Sequence, residues 1–134
     1  MNRLRDERGS ASLLIIGLSL AVILAIGLAV DGSRKALAAS RATSVAEEAA
    51  RAGAQALDPH ALASGRPAHV DPAEAAAAAH RYLASAGMTG QVHVQDDRIA
   101  VDTTDSLRTV FLGAVGIPAL AVHGHGAAGL VSAH

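Results

Sequence analysis

Apolar and polar positions divide this chain into stretches of different period. From Ser10 to Val30 no residue is charged, and Leu13 to Val30 is apolar almost throughout. A helix of about 21 residues at roughly 1.5 Å per residue is about 31 Å long, close to a hydrocarbon core of about 30 Å. The pattern predicts a transmembrane helix over 10–30 behind a short tail, residues 1–9. This run is longer than the roughly 7–15 apolar residues of a signal peptide. An A-x-A-like site, Ala36-Leu37-Ala38, lies beyond Asp31, Arg34 and Lys35, so a retained anchor is expected.

Beyond the span, residues 31–57 are rich in strong helix formers and read as an Ala-rich helix continuing from it. Arg41, Ser44, Glu48, Arg51 and Gln55 recur at helical steps, and so do Ala38, Ala42, Val45, Ala49, Ala52 and Ala56. Glu47 and Arg51 are a favourably ordered pair, contributing about 0.2–0.5 kcal/mol. The stripe of small side chains either admits another helix at close range or faces solvent as a stalk. Asp58-Pro59 is expected to stop the helix, and residues 58–71, with Pro59, Gly65 and Pro67, read as a linker.

Residues 72–134 read as a small α+β domain. Asp71-Pro72-Ala73-Glu74 is a helix start, with Asp at the N-cap and Pro at N1, and Gly87 marks the stop after about Ser85. Gln91–Gln95 and Arg98–Asp102 alternate as strands around an Asp96-Asp97 turn, with Val92, Val94, Ile99 and Val101 on one face. Asp105 is placed to cap a second short helix, in which Leu107, Val110, Phe111 and Ala114 fall at i, i+3, i+4 and i+7. Gly116-Ile117-Pro118 ends it. Ala119 to Val131 then extends as an edge strand with Leu120, Val122 and Leu130 inward. The order is α-β-β-α-β with an antiparallel sheet covered by helices.

Composition narrows the function classes. Hydrophobic residues make up 51% of the chain and aromatics 1%, so the apolar surface is mostly alanine and a soluble core is small. A net charge of −1 argues against nucleic-acid binding. With no cysteine, disulfides and thiolate chemistry are excluded. Arg3, Arg5 and Arg8 before the span nearly balance Arg34, Lys35 and Arg41 after it. The closeness of Arg8 and the shortness of the tail favour a cytoplasmic N-terminus, with residues 31–134 outside.

Seven histidines raise a metal hypothesis. His123 and His125 share one face of a strand, and His93 would join them if its strand pairs alongside, a ligand set zinc can use. The plainer reading makes Ala121, His123, His125 and Ala127 a solvent face, since no carboxylate stands in a metal motif. Asp96 and Asp97 read as a turn. No nucleophile elbow, phosphate-binding glycine loop or H-E-x-x-H is present, so no catalytic residue, cofactor or small-molecule substrate is expected.

Arg5-Asp-Glu-Arg-Gly-Ser10, the span, Gly27-Leu-Ala-Val-Asp31-Gly32 and Ala46-Glu-Glu-Ala-Ala-Arg-Ala-Gly-Ala-Gln-Ala-Leu-Asp58 together resemble the Tad/Flp pilus-assembly proteins. The likeness is to the TadE/TadG-like group of actinobacterial type. Phe111-Leu-Gly-Ala-Val-Gly-Ile-Pro118 and the strand after it are similar to the C-terminal part of such proteins. The resemblance implies a minor pilin-like or accessory pilus-assembly protein in the cytoplasmic membrane, partnered by pilus or secretion components or by its own copies through helices. Pilin-type members are cut after a glycine and carry Glu at the fifth mature position. Here the matching cut follows Gly9 and the fifth residue is Leu14, which favours an uncleaved, accessory role. The alternative is a membrane-tethered ligand- or metal-binding domain.

Overall fold

The computed structural model describes residues 3–56, 60, 63–66 and 70–130, with side chains from Gly9 onward. Helix α1 runs unbroken from Arg3 to Ala54. Gly32 does not interrupt it, since one glycine costs only about 1 kcal/mol against alanine in a helix. Asp58, Pro59 and Pro67, the expected stop and linker prolines, lie outside the described residues. The chain forms two compact units, residues 1–34 with 108–119 and residues 35–107 with 120–134.

In the first unit, the apolar run of α1 exposes its large side chains, from Leu13 at 73% to Leu28 at 59%. Among the described residues of this unit, two are buried: Gly27 and Asp31. Both meet the segment 108–119, which holds a short 3-10 helix, Leu112–Val115.

Among its described residues, the second unit packs the Ala-rich half of α1 and a second helix on a three-stranded antiparallel sheet. Helix α2, Pro72–Ser85, begins as expected, with the Asp71 carboxylate accepting from the Ala73 N–H at 2.8 Å. It ends in a Schellman arrangement: the Met88 N–H donates to the Leu83 carbonyl, the Gly87 N–H to that of Ala84, and Gly87 takes φ +69°. Strand β1, Thr89–Gln95, pairs antiparallel with β2, Arg98–Arg108, and β3, Ala119–Gly129, lies on the far side of β2. Asp96 takes φ +50° in the hairpin turn, a left-handed conformation that aspartate tolerates. Val92 faces Val101 and Val94 faces Ile99, the apolar face read from the alternation. Leu83, Ile99, Val101 and Val122 are the largest apolar side chains fully enclosed. Val131, the expected end of β3, lies outside the described residues.

One expected element is replaced. No α-helix forms from Asp105; β2 continues through it to Arg108, and only Leu112–Val115 turn as a 3-10 helix. The Asp105 carboxylate accepts instead from the Ser106 N–H. Leu107 shows why the helical spacing misled: it packs beside Ala42, Met88 and Val122, as an inward strand residue does.

Candidate functional site

Asp31 is the first residue past the apolar run and is 1% exposed. One oxygen accepts from the Val110 N–H at 3.0 Å, and the other from the Phe111 and Leu112 N–H groups at 2.9 and 2.8 Å. These successive amides lead into the 3-10 helix, so the carboxylate caps donors that the short helix cannot satisfy itself. The amide of Val110, then that of Leu112, hold the Asp31 carboxyl below its ordinary value of 3.8 against the opposing effect of burial. The Phe111 amide and the Arg34 charge add to the lowering.

One turn earlier, the Phe111 ring lies on Gly27, where any Cβ would collide with it at about 2.5 Å. A glycine thus admits the ring and a carboxylate fastens the backbone behind it. The rest of the segment is internally bonded: the Thr109 N–H donates to the Pro118 carbonyl at 3.1 Å, and its hydroxyl donates to the Ile117 carbonyl. Sequence reasoning met Asp31 as a charge just past the span and as part of a family-like motif, with no partner assigned to it. The signal for its role was present: a lone acid ending an apolar helix, and an uncharged stretch from Thr109 to Val122.

The Ala-rich half of α1 meets the sheet of its own unit. Ala42, Ala46, Ala49, Ala50, Gly53 and Ala54 are buried, and Arg41, Ser44, Glu48, Arg51 and Gln55 are exposed as their spacing predicts. The buried stripe is rotated from the expected one: Ala38, Val45, Ala52 and Ala56 are only half-buried. Alanine on neighbouring faces gives periodicity nothing to choose between. What chooses is the sheet, because a Cβ at Gly124 or Gly126 would overlap the backbone of Ala42 and Thr43 or of Ala46 and Glu47. Thr103, 1% exposed, donates to the Ala42 carbonyl at 3.0 Å and has the Gly124 carbonyl within 3.3 Å. That hydroxyl joins helix, central strand and edge strand at one point.

The candidate histidines His93, His123 and His125 lie on the opposite, exposed face of the sheet. His125 Nδ1 is 2.7 Å from an Asp102 carboxylate oxygen, and His123 Nδ1 is 3.4 Å from the Thr104 hydroxyl. His93 stands on β1 opposite Ala100, so β2 separates it from both. Among the described residues no three His, Asp or Glu side chains are grouped to hold a metal. Gly9 is exposed and lies within α1.

The molecule is therefore an α+β protein with one described helix long and apolar enough to cross a membrane. Residues 9–56 match the Tad family model, that of Flp pilus-assembly TadE/G-like proteins. The match takes in Gly27–Gly32 and Ala46–Ala56 of the motifs named above; residues 111–118 lie outside it. No curated protein and no solved structure matches the chain. The matched segment supports a role in Tad pilus assembly.

Proposed function

We propose that this protein is a membrane-anchored accessory component of a Tad (Flp) type pilus or secretion assembly, and not an enzyme. Residues 10–30 cross the cytoplasmic membrane with the N-terminus inside and the sheet-bearing unit outside. The observation that carries this reading is the Tad match over 9–56, which coincides with the apolar helix and its Ala-rich continuation. Leu, Ile and Val side chains from Leu13 to Val30 are exposed all round the helix, an arrangement stable in lipid and unfavourable in water.

The small residues of 38–54 are engaged by the sheet, so contact with pilus proteins or further copies falls to residues 10–30. Ala21 and Ala25, four apart and exposed, form a small-residue face there. The anchor is retained: the bond after Gly9 sits in helical backbone, and Leu14 stands where pilin-type members carry Glu.

Intact-mass analysis of the natively expressed membrane fraction, with protease added from outside, tests the proposal. The expected result is an uncleaved N-terminus with the 58–134 region digested. A mass beginning at Ser10 would make it a processed pilin-like subunit, and a mass lacking the span would overturn the anchor.

A further inference from the structure

The segment between β2 and β3 carries apolar surface that the fold does not use. Val110 is 57% exposed, Phe111 40%, Val115 67% and Ile117 45%. No residue from Thr109 to Val122 is charged. A water-facing loop is ordinarily polar, with backbone groups left for solvent. Here the N–H groups of Thr109, Val110, Phe111, Leu112, Ala114, Gly116 and Ile117 all bond within the unit, three of them to Asp31. Pro118 has no N–H to satisfy.

Irregular backbone survives beside hydrocarbon only when its polar groups are internally bonded, and these N–H groups meet that requirement. Its position agrees. Phe111 rests on Gly27, inside the apolar run and about 6 Å along the axis from Asp31. The segment therefore lies beside the last turn of the proposed span, within the same compact unit.

We propose that residues 110–117 are a second membrane contact: an apolar loop immersed at the lipid boundary next to the end of the span, with Val115 and Ile117 facing lipid. The inference rests on the anchor reading. Asp31 is what makes it chemically feasible, because its carboxylate replaces the water that three consecutive amides would otherwise need. The charge itself is kept from the lipid, being 1% exposed beneath the loop it holds.

The protein has no cysteine, so single labels can be placed cleanly. Full-length Val115→Cys, Ile117→Cys, Leu20→Cys and Ala127→Cys variants would carry an environment-sensitive nitrobenzoxadiazole dye. Each would be reconstituted in phosphatidylcholine–phosphatidylglycerol vesicles. Quenching by doxyl groups on lipid chains is then compared with quenching by aqueous iodide. Labels at 115 and 117 are expected to resemble that at 20, with lipid quenching at least threefold stronger than at 127. If 20 is lipid-quenched but 115 and 117 follow iodide, the loop is in water and the proposal fails while the anchor stands. If 115 and 117 are shielded from both quenchers, a protein covers the loop and the proposal also fails. A label at 20 that lipid does not quench overturns the anchor itself.

Discussion

Residues 13–30 and 38–54 belong to one helix but carry opposite kinds of surface. The first stretch is Leu, Ile and Val, and almost all of it is exposed; the second is largely Ala, and one side of it is fully buried. Side-chain size explains the inversion. Bulky side chains keep neighbouring backbones apart and suit lipid, a solvent as apolar as themselves. Alanine buries little area per residue but lets a strand come within backbone contact, and the glycines of β3 complete the approach. In this protein high hydropathy marks the exposed stretch of the helix, and smallness marks the surface that meets protein.

The largest expected effect comes from putting bulk where smallness is required. Gly124→Val places side-chain atoms on the Ala42 backbone and should destabilise the sheet unit by about 3 kcal/mol. Gly17→Val, where a Cβ meets nothing within 4 Å, should leave it unchanged. Thermal unfolding in detergent, followed by limited proteolysis, compares them; equal transitions would mean the two halves of α1 do not differ in packing. Next in size is Thr103→Val, which removes the buried bond to Ala42 and should cost about 1 kcal/mol. Ser19 donates to Ile15 of its own helix at 2.8 Å, so Ser19→Ala should shift the same transition negligibly.

Asp31 stands at the junction of the two stretches, and its effect should be confined to residues 109–118. Because its folded pKa is lowered, its stabilising contribution is present above the ordinary 3.8 and is lost as pH falls through the folded value. The amide proton resonances of Val110, Phe111 and Leu112 should therefore hold steady from neutral pH to about pH 5 and move together only in strong acid. In Asp31→Asn that acid step should be absent; its persistence would assign it to another group. The smallest effect belongs to Glu48 and Arg51, an exposed pair on the outer face of α1. Glu48→Gln should change stability by no more than about 0.5 kcal/mol, and less in high salt.

Much of this was legible locally. The Asp71-Pro72 start and the Gly87 stop of α2 act through bonds within a few residues, so sequence alone placed them. The hairpin was legible because Val92, Val94, Ile99 and Val101 alternate around a turn that aspartate favours. Leu107, Val110, Phe111 and Ala114 misled because helical spacing is a weak signal over one short stretch. There the extended β2 ladder and the Asp31 carboxylate, 79 residues from Val110 in the chain, took the donors a helix would have used. His93, His123 and His125 were correctly assigned to strands, but which strands neighbour one another decided that His93 stands apart from the other two.

By itself the sequence determined where the apolar helix runs, that an Ala-rich helix follows it, where the second helix begins and ends, and where the hairpin turns. Those features rest on composition and on hydrogen bonds between near neighbours. Only the tertiary structure decided which alanines are buried, what Gly27, Gly124 and Gly126 are for, and that Asp31 fastens a loop far along the chain. Each of these depends on two distant backbones approaching closely, and neither smallness nor a lone carboxylate names its partner until the chain has folded.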